Sequence, residues 1–204
     1  ESALAWVFAS AYVSLAWWSP VVLVFADAAA SSSIDRSRAY WILRHDPLTE
    51  LPNRLALSEH VGALNRKRVE GAYIFYIDLD GFKDVNDTLG HQVGDEVLRE
   101  VSRRLGGVTD RGDFLAHLHG DEFVLVSEDT REDDGARALV AELTRVVEGP
   151  IDREGGAIRV SASVGYKLMT NLGDMEAALH DADRRMAAVK QARRIASGRE
   201  RRRS

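Results

Sequence analysis

Four carboxylates stand at two places where the chain is predicted to leave a strand or to turn. Asp78 and Asp80 come directly after the apolar run at residues 73–77, and Asp121 and Glu122 lie in the turn of a predicted hairpin. Divalent cations such as Mg²⁺ take oxygen ligands of this kind, with phosphate oxygens completing the shell. Either pair alone would be ordinary turn composition. The two pairs within one α/β domain favour a divalent-metal site.

Two basic residues near the end of the chain have the spacing of a phosphate-binding pair. Lys190 and Arg194 are four residues apart and therefore lie on one face of the predicted terminal helix. They suit a triphosphate, although cations at a helix end also compensate the helix macrodipole. Gly81 follows the first acidic pair at a predicted helix start, where backbone amides can also bind phosphates.

The elements that position these residues alternate between strands and helices after Asp46. Apolar, β-branched and aromatic runs predict strands at 73–77, 114–118, 123–126 and 158–165, of which the second and third form a hairpin. Apolar residues at helical spacing predict an amphipathic terminal helix, and these residues are Met175, Leu179, Ala182, Met186 and Val189. The last two are expected to face the core.

Residues 3–26 carry no charge, and 20 of these 24 residues are hydrophobic. As one helix they would be about 36 Å long, which is enough to cross a bilayer. Trp17 and Trp18 fall in the middle of the segment, where an interfacial aromatic belt would not place them. A membrane span is the preferred prediction. The alternatives are a buried helical hairpin broken at Pro20 and a helix packed on a partner.

The composition of the 204 residues is that of a folded protein, with 45% hydrophobic and 29% charged residues. The absence of cysteine excludes a disulfide scaffold, a thiolate nucleophile and a cysteine-based metal site.

The net charge is −5, yet nine of the 27 Lys and Arg lie between Arg184 and the C-terminus. The body is therefore acidic, which argues against nucleic acid as a partner. The basic end is either a solvated tail or a source of cations for a polyanionic ligand.

Several motifs, in order and at matching spacings, resemble those of GGDEF domains, the diguanylate cyclase family. Residues 46–54 (DPLTELPNR) match the opening D-x-L-T-x-L-x-N-R signature, and residues 78–87 (DLDGFKDVND) continue it. Residues 119–123 (HGDEF) stand where the naming motif belongs, and residues 160–165 (VSASVG) match a later strand. The resemblance extends over residues 38–197.

The resemblance implies an α/β fold: a palm-like nucleotidyl cyclase domain with a mainly antiparallel central sheet flanked by helices, preceded by an N-terminal hydrophobic helix. The chain would comprise a hydrophobic segment at 1–27, a helical connector at 28–45, a GGDEF domain at 46–197 and a basic tail at 198–204. The implied reaction condenses two GTP into cyclic di-GMP and two pyrophosphates across a homodimer. The implied cofactor is Mg²⁺, with Mn²⁺ as an alternative.

The resemblance also implies roles for the matching residues. Four would form the metal and catalytic centre: Asp78, Leu79, Asp121 and Glu122. The first three would bind two metal ions, Leu79 through its backbone carbonyl, and Glu122 would stand by the attacking 3′-hydroxyl as base or electrostatic orienter. Asn86 and Asp95 would recognise the guanine edge. The β- and γ-phosphates would be bound by Gly81, Phe82, Lys83, Lys190 and Arg194.

The chain departs from the family pattern at the naming motif, whose first glycine is His119 here. Glycine adopts positive φ freely and allows close backbone approach to a ligand, so histidine is expected to be strained at this position. Asp113 occupies the last position of the family's R-x-x-D product-inhibition site, but Asp110 stands where the arginine belongs, and His117 replaces a second common arginine. We therefore expect no inhibitory product site.

Other functions stay open from the sequence. A degenerate module would bind GTP or a partner domain and act as a regulator, and further domains beyond either end of the chain are compatible with both functions. A third alternative keeps the fold but makes a mixed cyclic dinucleotide or a mononucleotide, although Asp95 favours guanine. The hydrophobic segment predicts a place at the inner (cytoplasmic) membrane with the GGDEF domain in the cytoplasm, and a cytoplasmic protein is the alternative.

Overall fold

The computed structural model describes five stretches of the chain: residues 38–67, 69–128, 130, 132–153 and 156–200. The chain divides into two units, residues 1–43 and 44–204, and the described part of the first is helical from 38 to 42. The hydrophobic helix and membrane span predicted within residues 1–27 lie outside the described residues. Among the described helices, none combines the length and hydrophobicity that a membrane span requires.

Strands and helices alternate through the described part of the second unit. The strands are β1 (Ala72–Asp80), β2 (Asp113–His119), β3 (Glu122–Ser127) and β4 (Ser161–Met169). The helices are α1 (Arg54–Arg66), α2 (Phe82–Leu89), α3 (His91–Gly106), α4 (Asp133–Val147) and α5 (Met175–Glu200). A strand is therefore found at each of the four predicted places.

The strands form one sheet in the order β2-β3-β1-β4, and every neighbouring pair is antiparallel. A tight turn joins β2 to β3, and Gly120 in this turn has a φ of 58°, which favours glycine. The last strand lies later than predicted, at 161–169 instead of 158–165. Ile158 instead forms an isolated bridge with Ile151, outside the sheet.

Helices cover both faces of the sheet, and each face has its own apolar core. Phe75 and Ile77 of β1 pack with residues of α3 and α4, whereas Ile74 packs with residues of α1 and α5. Because β1 is buried on both faces, it reads as a continuous apolar run in place of an alternating one. The fold is the expected α/β arrangement, an antiparallel sheet flanked by helices.

The terminal helix α5 lies unusually close to β4. A side-chain carbon at Gly165 would come 2.1 Å from the carbonyl oxygen of Ala182 and 2.3 Å from the amide nitrogen of Met186. Met186 is buried, as predicted, but the prediction that Val189 faces the core is wrong, because its side chain is 38% exposed. Lys190 lies four residues after Met186 and is half-buried, and it contacts Asp78 where the helix passes the acidic end of the sheet.

Candidate active site

The strand register brings the two acidic pairs together at one end of the sheet. Asp78 in β1 is paired with Glu122 in β3, and residues directly opposite in an antiparallel pair project from the same face. Asp121 precedes β3, and its carbonyl accepts a hydrogen bond from the amide of Leu79 at 3.2 Å. Two motifs far apart in sequence therefore form a single acidic cluster.

Asp78 is the most buried carboxylate of this cluster, with 12% of its side chain exposed. Burial raises the pKa of Asp78, the negative charges of Asp121 and Asp80 raise it further, and the ammonium group of Lys190 opposes both effects through a direct contact with Asp78. The balance still disfavours the charged carboxylate. A cation bound at this cluster would therefore stabilise the charged form of Asp78.

Asp80 is held in place by hydroxyl groups and by an arginine that the sequence analysis did not select. The hydroxyls of Ser161 and Ser163 donate to its carboxylate at 3.1 and 2.9 Å, and Arg193 Nη1 lies 3.4 Å away. Arg193 also donates to the carbonyl of Ala162 at 2.7 Å. The sequence feature that could have identified Arg193 is its spacing, because it follows Lys190 by three residues and therefore lies on the same face of the helix.

A cavity of about 510 Å³ opens beside the acidic cluster. This volume falls within the usual range for small-molecule sites. Seven of the predicted site residues line it, and these are Leu79, Gly81, Phe82, Lys83, Asp121, Lys190 and Arg194. Four further residues complete the lining, namely Asp80, Asp84, Ser161 and Arg193. The cavity therefore combines cationic side chains on α5 with the beginning of α2.

Gly81 turns the chain from β1 into α2 with a φ of 79° and precedes the first helical residue. The amides at a helix start have no partners within the helix, and the helix dipole adds partial positive charge there. Gly81, Phe82, Lys83 and Asp84 all line the cavity, so the start of α2 faces it. This is the arrangement that binds phosphate groups in many proteins.

Two predicted residues lie on α2 and α3, outside the lining of the cavity. Asn86 and Asp95 are half-buried, and Gly94 lies directly against Asn86. A side-chain carbon at Gly94 would come 2.0 Å from Oδ1 of Asn86, so glycine at this position lets α3 approach the Asn86 side chain. The predicted guanine contacts would therefore lie between these two helices.

Glu122 also lies outside the lining of the cavity and has two contacts at one of its carboxylate oxygens. The hydroxyl of Tyr76 donates to Oε2 at 2.6 Å, and Nε2 of His119 is 3.3 Å from the same atom.

His119 ends β2 with 67% of its side chain exposed. Among the described residues, Glu50 is the one non-glycine with a positive φ. The strain expected at His119 is therefore wrong, because the left-handed turn position belongs to Gly120.

His117 connects the opening signature loop to this turn. It is buried, with Nδ1 3.1 Å from Oδ1 of Asp46 and Nε2 3.0 Å from the carbonyl oxygen of Gly120. Burial tends to raise the pKa of Asp46, but hydrogen bonds from Thr49 and the contact with His117 outweigh it, so this pKa is lowered. The imidazole of His117 therefore links two loops and has a structural role.

The oxygen atoms of the acidic cluster are the kind of ligand that Mg²⁺ prefers, but the side chains alone do not complete a magnesium site. In the part of the chain that the structure describes, no three His, Cys, Asp or Glu side chains are grouped as a metal site. Asp78 and Asp121 with the Leu79 carbonyl supply hard oxygen donors, which leaves coordination positions for phosphate oxygens. Lys190 already places a cationic group on Asp78. The residues present therefore fit a divalent ion that binds together with a phosphate ligand.

An antiparallel sheet flanked by helices, with clustered carboxylates at one end, defines the palm-like α/β class. Residues 43–195 match the family model described as "Diguanylate cyclase, GGDEF domain". The chain therefore belongs to the GGDEF family.

Relatives and solved structures of this family are similar to the chain. The diguanylate cyclase TpbB of Pseudomonas aeruginosa is 36% identical over 152 residues, which cover 72% of this chain and 35% of TpbB. The cyclic di-GMP phosphodiesterase NbdA of the same species is 39% identical over 134 residues, covering 64% of this chain and 17% of NbdA. The chain thus spans a small part of these relatives.

The crystal structure of the coiled coil and GGDEF domain of DgcB from Caulobacter crescentus, in complex with c-di-GMP, has the same fold. It superimposes with a TM-score of 0.67 at 26% identity. The match covers 82% of this chain and 93% of that one.

Proposed function

We propose that this domain is a diguanylate cyclase that condenses two GTP molecules into cyclic di-GMP and releases two pyrophosphates. Each domain of a homodimer would hold one GTP. The observation that supports this proposal best is the position of the cation-lined cavity directly beside the acidic cluster. A triphosphate in the cavity would bring its α-phosphate towards the carboxylates, where the reaction takes place.

The cavity residues would bind and orient the triphosphate. Lys83, Lys190 and Arg194 supply positive charge, and the amides at the start of α2 supply fixed donors for the β- and γ-phosphates. Asn86 and Asp95 would fix the base through hydrogen bonds to the guanine edge. Catalysis would then come mainly from positioning the two nucleotides and from electrostatic stabilisation.

Glu122 would act at the reacting hydroxyl as base or as electrostatic orienter. The 3′-oxygen of each GTP forms a bond to the α-phosphorus of the other, the hydroxyl proton passes to Glu122 or to water, and the bond from that phosphorus to the pyrophosphate leaving group breaks. Asp78, Asp121 and the Leu79 carbonyl would hold Mg²⁺, or Mn²⁺ as an alternative. When bound, this ion lowers the free energy of the negative charge that develops on the phosphate.

The test is incubation of residues 28–204, fused to a dimerising coiled coil, with GTP and Mg²⁺, followed by separation of the products and identification by mass. We expect cyclic di-GMP from the parent and none from Glu122→Ala. Confirmed dimers that bind GTP and release no product would contradict the proposed cyclase.

A regulatory module that binds GTP or a partner domain without turnover is the second candidate. The similarity to NbdA, which is named as a phosphodiesterase, and the replacement of the first motif glycine by His119 favour it. GTP binding without product would support this candidate, and restored turnover in His119→Gly would assign the loss of activity to that side chain.

The proposed membrane anchor at residues 3–26 is supported by their uncharged sequence alone. Fractionation of cells that express the whole chain and a variant lacking these residues tests it. We expect only the whole chain in the membrane fraction, and equal distribution of the two proteins would contradict the anchor.

A further inference from the structure

Tyr76 lies in β1 two residues before Asp78, so both side chains project from the same face of the sheet. Tyr76 is partly buried and packs against the apolar core on this face of the sheet, which includes Ile74 and Val124. Its phenol reaches across to β3, where its hydroxyl donates a 2.6 Å hydrogen bond to Glu122. The hydroxyl of Tyr76 thus bonds the carboxylate that is proposed to act at the 3′-hydroxyl.

The contacts of Glu122 are unevenly distributed over its two oxygens. Tyr76 and His119 both approach Oε2, and no described side chain makes a hydrogen bond or ion pair with Oε1. A carboxylate fixed at one oxygen loses rotational freedom about its terminal bond. The other oxygen is then presented in a defined direction.

The contact of Tyr76 with Glu122 has the geometry of a strong hydrogen bond, because a distance of 2.6 Å from a hydroxyl to a carboxylate oxygen lies in the range for a charged acceptor. His119 is largely exposed and more distant from the carboxylate, so Tyr76 is the stronger constraint on Glu122.

We propose that Tyr76 is a positioning residue, which holds Oε2 of Glu122 so that Oε1 faces the reacting 3′-hydroxyl. This inference rests on the proposed cyclase function. Loss of the phenol hydroxyl leaves the cavity residues in place, so it should slow turnover without weakening GTP binding.

The test compares Tyr76→Phe with the parent in the whole 204-residue chain fused to a coiled coil, with GTP and Mg²⁺. We expect kcat to fall about tenfold while KM changes less than about twofold, since the loss affects geometry at the reacting group. Tyr166→Phe is the matched control, because it also removes a hydroxyl that bonds a carboxylate, that of Asp133. Its kcat should equal that of the parent.

A double-mutant cycle separates positioning from a general structural effect. In Glu122→Asp the shorter carboxylate is withdrawn from the phenol, so Tyr76→Phe should cost less than about twofold in that background. A parental kcat in Tyr76→Phe, or the same tenfold loss in both backgrounds, would overturn the inference and leave the cyclase intact. A parent that binds GTP and makes no product would overturn the cyclase and this inference together.

Discussion

Arg193 gives the cavity a cation beyond the pair indicated by the sequence. It lines the cavity with Lys190 and Arg194, and it is anchored by the Ala162 carbonyl and by Asp80. An arginine held in this way is pre-organised, so less side-chain entropy is lost when it also binds a phosphate. Its contribution should therefore appear in substrate binding.

We expect Arg193→Ala to raise the KM for GTP about tenfold while kcat changes less than about threefold, because a phosphate contact made equally in ground and transition states affects binding alone. Steady-state kinetics at several GTP concentrations measure both constants. Arg185→Ala removes an exposed arginine from the same helix and should leave both constants unchanged. An unchanged KM in Arg193→Ala would exclude a phosphate contact.

Product feedback through the Asp113 position should be absent. Asp113 uses Oδ2 to accept a hydrogen bond from the amide of Asp110 at 3.0 Å, so it stabilises its own turn. We expect added cyclic di-GMP to change the initial rate less than about twofold. Position 110 is an aspartate, so the bidentate contact that an arginine there would make with a phosphate is absent. Calorimetric titration of the domain with cyclic di-GMP, beside Asp113→Ala, provides the check. Tight binding that disappears in the variant would show that such a site exists.

The sequence predicted the residue types of the site better than their contacts. Seven predicted residues line one cavity because motif spacing encodes which strand ends and helix starts meet. The contacts of Tyr76 with Glu122 and of Lys190 with Asp78 depend on strand register and on the path of α5, which local patterns do not contain. The strain expected at His119 was wrong because the turn begins one residue later.

At the scale of elements, the close packing of α5 on β4 positions the cationic end of the helix. Gly165 permits this approach, since backbone atoms of Ala182 and Met186 occupy the space of a side chain. The helix then continues past the core to the acidic cluster, where Lys190 and Arg193 reach Asp78 and Asp80.

We expect Gly165→Ala to lower the free energy of unfolding by about 1–3 kcal/mol or more, because the neighbouring atoms are backbone and cannot move aside. Urea denaturation of the two proteins measures the difference. Gly62→Ala provides the control within α1, where an added methyl group has room. It should raise the free energy of unfolding by about 0.5–1 kcal/mol through higher helix propensity. Equal stability of Gly165→Ala and the parent would contradict the close approach.

Arg104 of α3 is paired with Glu100 on the same helix and connects α3 to the residues that follow α4. Hydrogen bonds and charge from Arg103 and Arg104 hold the pKa of Glu100 at about 2, against an ordinary value of 4.5. Arg104 in turn donates to the carbonyls of Gly149 and Pro150 after α4. A carboxylate with a lowered pKa contributes stability above its ordinary pKa, and this contribution is lost as the pH falls towards the lowered value.

We therefore expect Glu100→Gln to be less stable than the parent by about 0.5–1 kcal/mol at pH 7. The difference should shrink as the pH falls from about 4.5 to about 2. Urea denaturation across this range tests both statements. Glu142→Gln removes a looser, exposed ion pair with Arg145 and should have a smaller effect at neutral pH. A difference that does not vary with pH would contradict the role of the Glu100 charge.

Element types were predictable because apolar runs and helical spacing report burial directly. The displacement of β4 was not, because Ile158 is as apolar as a strand residue and its pairing with Ile151 depends on the loop after α4. The outward position of Val189 was missed for a similar reason, since helical spacing alone does not show where the helix passes beyond the sheet.

At the scale of the whole molecule, the proposed reaction joins nucleotides held by two copies of the domain. Turnover should then depend on how often two domains meet. We expect the specific activity of the unfused domain to rise with its concentration, and that of the coiled-coil fusion to be constant, as mass action requires. Product formation measured over a dilution series tests this. Constant specific activity in the unfused domain would contradict a reaction between loosely associated domains.

The contact between Lys190 and Asp78 also has a consequence for the order of loading. The ammonium group contacts Oδ1 of Asp78, so a divalent ion at that oxygen would compete with it, and a triphosphate in the cavity would offer it another partner. Each ligand therefore removes part of the free-energy cost of the other, and by thermodynamic reciprocity both affinities rise by the same factor. Under the proposed function, the domain would bind the metal more weakly in the absence of nucleotide, and departure of pyrophosphate would let the lysine return to the carboxylate and lower the affinity for the ion.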